Sequence, residues 1–277
     1  MGPITALFGF TIRQTLLNRK ICLPLIILAA PTAIIILIRN FAGPLPDVEA
    51  VWRAYHSGVQ FLLIQLLIPL VCLIYGTALI GADVDAGTIV YLTTRWIRRR
   101  TMLLVKFAAN IVVLVVLCDL SIVLLHACTF VGLDLQSVAA RSSAFADWNP
   151  TNDFCYYLLI IPAGVLSFLA VFTLIGLLTA RPLTLSILYL VTVELFISNI
   201  PVGARVYSVT HYLRVTMAGV IPELPRLYEL PEELSQELYS PGATGLPELF
   251  GIALVALALT TVLVTVRELV PAKVARE

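Results

Sequence analysis

Apolar residues run through this chain in six long stretches, separated by shorter polar ones. The first is Ile21–Ile38, closed by Arg39. The others are about Gly58–Ile80, Met102–Leu125, Phe154–Thr179, Leu183–Ile200 and Leu249–Val266. None shows the apolar–polar alternation of a barrel strand, and each is long enough to cross about 30 Å of hydrocarbon at about 1.5 Å per residue as a helix. The pattern predicts an all-α polytopic membrane protein with six transmembrane helices and a single transmembrane domain. The first stretch exceeds the roughly 7–15-residue core of a signal peptide and has no clear cleavage site, so it reads as a permanent anchor. Pro24, Pro31, Pro69 and Pro162 lie inside the stretches, where neighbouring helices make proline tolerable.

The polar intervals carry their own patterns. In residues 3–20, Ile4, Leu7, Phe8, Ile12 and Leu16 follow helical spacing, while Arg13, Gln14, Asn18, Arg19 and Lys20 break the apolar run. An amphipathic helix in the membrane interface is expected there, the alternative being a helical extension of the first span. Residues 201–247 are proline-rich. Within them PEELSQELY begins as a helix would, and Val206, Val209, Leu213 and Met217 are spaced as one face of another. A structured cap or re-entrant element is expected, on the outer side. The interval 127–153 holds Asp134, Asp147 and Trp148 without a recognisable motif.

Composition agrees with this picture. Of 277 residues, 60% are hydrophobic and 13% charged, against about 25% charged in soluble domains. Net charge is +1 and says little; its distribution says more. Six spans place both termini on one side. On that side lie Arg13, Arg19, Lys20, Arg95, Arg98, Arg99, Arg100, Lys106, Arg181, Arg267, Lys273 and Arg276. The other side holds Arg39, Arg53, Arg141, Arg205, Arg214 and Arg226. Twelve basic residues against six predict cytoplasmic termini in the cell membrane. Cys22, Cys72 and Cys118 sit in apolar runs as small hydrophobes. Cys128 and Cys155 flank one interval and could pair if it is extracytoplasmic.

No motif for covalent catalysis or phosphate binding is found: GxxxxGK[ST], HExxH and GxSxG do not occur. No Cys/His cluster suggests a metal, and no feature points to nucleic acid. A non-enzyme is expected. Asp119 and Glu194 fall inside apolar stretches, where ionisable residues are costly and default to functional candidates. With Asn110 they are candidates for an intramembrane polar path. Their plainer role is to hold helices together. Thr77, Gly81, Gly164, Ser167, Gly176 and Ala180 are small enough to let helices approach closely.

The stretch GADVDAGTIVYLTTRWIRRR, at 81–100, stands apart. Asp83, Asp85 and the Gly87–Thr88 step suit a helix start. Ile89, Leu92 and Trp96 then make one apolar face, with Arg95, Arg98, Arg99 and Arg100 around it. Arginines alone would serve topology and anionic headgroups. The carboxylates, the turn and the apolar face before them are what a docking surface for a cytoplasmic partner needs.

That stretch resembles the signature region of type-2 permeases of ATP-binding cassette (ABC) transporters. The matching positions are Asp83 or Asp85, Gly87–Thr88, Leu92, Thr94–Arg95, Arg99 and, opening the next span, Lys106. Aspartate stands where glutamate is usual, and Trp96 where proline is expected. The resemblance covers about 25 residues, and the six-span plan is similar too. It implies that 83–100 contains a coupling helix, with Asp83, Asp85, Gly87, Thr88, Leu92, Trp96 and Arg99 gripping a separate cytoplasmic ATPase subunit. It further implies a second permease chain in a homodimer, export, and ATP with magnesium on the ATPase, with no cofactor in this chain. The rival readings are a proton-coupled secondary transporter using Asp119 and Glu194, and a membrane binding or immunity protein that moves nothing.

Overall fold

The computed structural model describes residues 3–17, 21–42, 48–85, 99–131, 148–179, 181–199, 203–221, 224 and 245–266. Every element among them is helical. Helix α1 is Pro3–Leu17 and α2 is Cys22–Ala42. The second span is helical from 48 to 85: α3 (Val48–Ser57), a π-helical stretch (Gly58–Leu67) and α4 (Ile68–Asp85). Next come α5 (Arg99–Phe130) and α6 (Pro150–Leu178). The fifth span is α7 (Pro182–Tyr189), a second π-helical stretch (Leu190–Phe196) and a 3-10 turn (Ile197–Asn199). A 3-10 turn at Gly203–Tyr207 leads into α8 (Val209–Val220), and α9 (Leu246–Val266) completes the bundle. Among the described residues, six helices are long and apolar enough to cross a membrane. The sequence pattern places the second span from Gly58; the structure starts its helix ten residues earlier, because α3 carries Glu49, Arg53 and His56 and so escapes an apolar count.

The core is built on the second and fourth spans. In the most apolar 18 residues of the second and of the fourth span 67% of positions are buried, against 22–28% in the first, fifth and sixth spans. These two central spans run parallel. His56 meets Tyr157, Cys72 meets Val165 and Gly176 meets Thr77, in step along their length. They pack closely because glycines remove side chains at the contacts: a Cβ on Gly176 would lie 3.1 Å from the Thr77 Cα. Helix α6 starts cleanly, with Pro150 in its first turn and the Asn149 side chain accepting the Thr151 N–H at 3.1 Å.

Helix ends sort to two sides. Arg100 Nη2 reaches Thr265 Oγ1 at 3.5 Å, joining the start of α5 to the end of α9. The far end of α5 meets the start of α6, where His126 lies against Phe154 and Phe130 against Trp148. The ends of α4, α6 and α9 and the start of α5 therefore share one end of the bundle, which carries Arg99, Arg100 and Arg181. Helix α1 joins them. Thr5 and Phe8 line a groove with Thr101, Leu104 and Ala108, and Thr15 Oγ1 lies 3.3 Å from Asn110 Oδ1. Helix α2 then follows the rest of α5: Ser121 Oγ donates to the Leu28 carbonyl at 2.6 Å, and Arg39 reaches the carbonyls of Cys128 and Val131. Helices α1 and α2 thus track along α5 in sequence. Cys128 and Cys155 are free thiols.

Candidate functional site

Of the seven residues the ABC resemblance singles out, three are on described backbone. Asp83 and Asp85, expected at a helix start, lie instead in the last turn of α4, because the second span's helix continues past Gly81 to Asp85; Arg99 opens α5 at the same end of the bundle. Gly87, Thr88, Leu92 and Trp96 lie outside the described residues. So does the PEELSQELY helix expected within 201–247.

The polar groups that the structure does join lie around α8. Glu194, in the π-helical stretch of the fifth span, is fully buried. Its carboxylate accepts from Ser208 Oγ at 2.7 Å, from the N–H groups of Val209 and Thr210 at 3.1 and 3.0 Å, and from Tyr189 Oη at 3.0 Å. The chain leaves the fifth span at Asn199 and turns back through Gly203–Tyr207, so α8 begins beside Glu194, a turn short of that span's end. A helix N-terminus presents unpaired N–H groups and positive partial charge, and a buried carboxylate satisfies both. Ser208 adds the local cap, accepting the His211 N–H at 3.3 Å.

One turn on, Arg214 is 3% exposed and donates to Asn199 Oδ1 at 2.9 Å and to Gln65 Oε1 at 2.5 Å. Gln60 Nε2 donates to Met217 Sδ at 3.1 Å. Helix α8 thus runs antiparallel to the second span and is bonded to its π-helical stretch. On another side it enters the fourth span at Gly164, where an added Cβ would lie 2.7 Å from Leu213 Cδ1. The sixth span starts against it: the Gly245 N–H donates to Thr216 Oγ1 at 2.9 Å. His211 is held down at about 4 by burial first and then by Arg205 and Arg214. Burial, with Glu248, raises Tyr212.

Asp119, Asn110 and Glu194 do not come together through any hydrogen bond or ion pair among the described residues. Asn110 pairs with Thr15 of α1. Asp119 is half-buried on α5, and its Oδ1 has no hydrogen-bond partner among the described residues. Glu194 is occupied by α8.

A second cluster, at the opposite end from Arg99, Arg100 and Arg181, escapes the sequence reading. His56 Nδ1 lies 2.5 Å from Tyr157 Oη, and His56 Nε2 lies 3.2 Å from Asp153 Oδ2. Trp148 Nε1 donates to the same Asp153 oxygen at 2.8 Å. Tyr55, His126, Phe130 and Phe154 close around these groups with ring contacts of 4.6–5.6 Å. The cluster fastens the starts of the second and fourth spans to the end of the third. Among the described residues, no three His, Cys, Asp or Glu side chains converge as metal ligands would.

Neither a family model nor a curated protein matches the chain.

Proposed function

We propose that this chain is the membrane-spanning permease subunit of an ATP-driven ABC transporter of the type-2 kind, working as an exporter. It pairs with a second copy of itself and with a separate cytoplasmic ATPase subunit, and its termini are in the cytoplasm of a cell bounded by the membrane it crosses. ATP and magnesium belong to the ATPase. The observation that carries the reading is the stretch from Asp83 to Lys106, with its acidic residues, Gly87–Thr88, Leu92 and Arg99 in the order of that family's signature.

The placement of its ends supports the reading. Asp85 closes a helical run that begins at residue 48 and extends on the order of 50–55 Å, and Arg99 opens another of about 48 Å. Both exceed the roughly 30 Å of a bilayer core. A push on the segment between them would therefore travel along two continuous helices into the core of the bundle. Leu92 and Trp96 fill a cleft on the ATPase in this proposal, while Asp83, Asp85 and Arg99 orient the dock. A carrier driven by protons through Asp119 and Glu194 has less support, because both Glu194 oxygens are committed to α8.

The test is purification of the tagged, gently solubilised chain from its native membrane. Co-purification of an ATPase whose hydrolysis depends on this chain is the expected result. A chain that is complete and active with no nucleotide-hydrolysing subunit would overturn the proposal, as would labelling that placed residues 86–98 outside the cell.

A further inference from the structure

The seat of α8 is unusual for a lipid-embedded bundle. This helix is fixed by Glu194, Ser208, Arg214, Gln65 and Asn199. Buried ionic groups are not the economical way to hold a helix permanently, since well-packed apolar side chains of similar volume often stabilise as much or more. Polar contacts differ in that water can replace them, which allows a helix to leave its seat and return.

Two further observations point the same way. Gln60, Gln65 and Glu194, which grip α8, lie on the two π-helical stretches, Gly58–Leu67 and Leu190–Phe196, and Asn199 lies in the 3-10 turn that follows the second. π-Helical turns are rare and concentrate at functional positions. Relaxing such a turn to α geometry slips the helix by one residue and swings its side chains by about 100°, enough to carry Glu194 or Gln65 off its partner. On the third wall Leu213 seats in the notch at Gly164, so release of α8 lifts Leu213 out of that notch and exposes both.

We propose that α8 is a displaceable plug, latched at its N-terminus by Glu194 and along its length by Arg214, and that release of the latch uncovers the face of the fourth span around Gly164. The device does not depend on an ATPase partner, and its test does not use one.

The test is thiol accessibility in the full chain reconstituted in lipid vesicles. Cys22, Cys118, Cys128 and Cys155 are replaced by alanine. Cys72, fully buried in the α4–α6 contact, is kept as the internal control. Leu213→Cys, at a position 1% exposed, is the reporter for a water-soluble maleimide. With Glu194→Gln the reporter should react roughly tenfold faster, the effect of losing one charge-assisted hydrogen bond, while Cys72 does not change. The pair Tyr189→Phe and Ser208→Ala removes two donors, keeps the carboxylate, and should shift the reporter in the same direction by less. It decides the matter if Glu194→Gln does not fold. An unchanged reporter in the folded variants overturns the plug. So does an equal rise at Cys72, because Glu194 would then hold the whole bundle and not a movable part of it.

Discussion

Gly76 and Phe172 touch backbone to side chain: a methyl group placed on Gly76 would lie 2.8 Å from the Phe172 Cβ and 3.1 Å from the Phe172 carbonyl carbon. This contact, and Gly176 against Thr77 beside it, sets the distance between the two most buried spans. Gly76→Val should force them apart and cost about 1–3 kcal/mol, read as a lower melting temperature in detergent. Gly251→Ala, where an added methyl meets nothing within 4 Å, should not lower it.

Asp153 serves two partners at once, Trp148 Nε1 and His56 Nε2. Asp153→Leu strands both and should destabilise by about 1–3 kcal/mol. Combining it with His56→Phe should cost less than the two single changes added together, because the stranded imidazole is then gone. A double-mutant cycle on thermal unfolding measures the difference. Strict additivity would mean that the pair carries no coupling.

Arg39 closes the C-terminal end of α5 from the neighbouring span, donating to the Cys128 carbonyl at 2.6 Å and the Val131 carbonyl at 2.7 Å. A cation there also meets the negative end of the helix dipole. Arg39→Ala should cost about 1–3 kcal/mol. Arg39→Lys should recover only part, because one ammonium cannot reproduce the planar fork that reaches two carbonyls. The order Arg above Lys above Ala in melting temperature is the expected readout.

His211 titrates near 4 in the folded chain and near 6.5 when unfolded. Protons therefore bind the unfolded state first as the pH falls. Above 6.5 the difference has no effect; between 6.5 and about 4 it makes the fold progressively less stable. His211→Gln should flatten that part of a stability–pH curve. An unchanged acid limb would show that His211 is as free as a peptide histidine.

Trp96→Ala tests the coupling proposal directly. A cleft-filling aromatic at an interface is worth about 2 kcal/mol or more, so the variant should fold, insert and yet lose substrate-stimulated ATP hydrolysis by its partner. Full hydrolysis with normal recovery of the complex would remove Trp96 from the coupling surface.

The six spans were legible in the sequence because twenty-residue apolar runs have few other meanings. The helical face of Val209, Leu213 and Met217 was legible too, since period and burial agree there; Val206 falls instead in the preceding 3-10 turn and is exposed. Three features were not legible. Helix α3 hid behind its charges. The partnership of His56 with Asp153 spans 97 residues and exists only through the register of two parallel helices. Glu194 reads from sequence as an isolated carboxylate in lipid, and only the return of the chain at Ser208 shows what it faces. The one signal for that pairing was Ser208 itself, a capping residue ahead of an apolar helical face inside a proline-rich stretch.

The unequal lengths of the spans bear on the surrounding lipid. Among the described residues the apolar helix of the fifth span is 18 residues long and those of the first and sixth 20 and 21, against 29 to 31 for the second, third and fourth. The short ones form the perimeter. Acyl chains at the rim therefore meet a hydrophobic belt of only about 27–31 Å, next to helices that stand proud of it. Such a belt matches the roughly 30 Å of an ordinary bilayer core, so lengthening the acyl chains of the host lipid should strain the rim before it strains the interior helices.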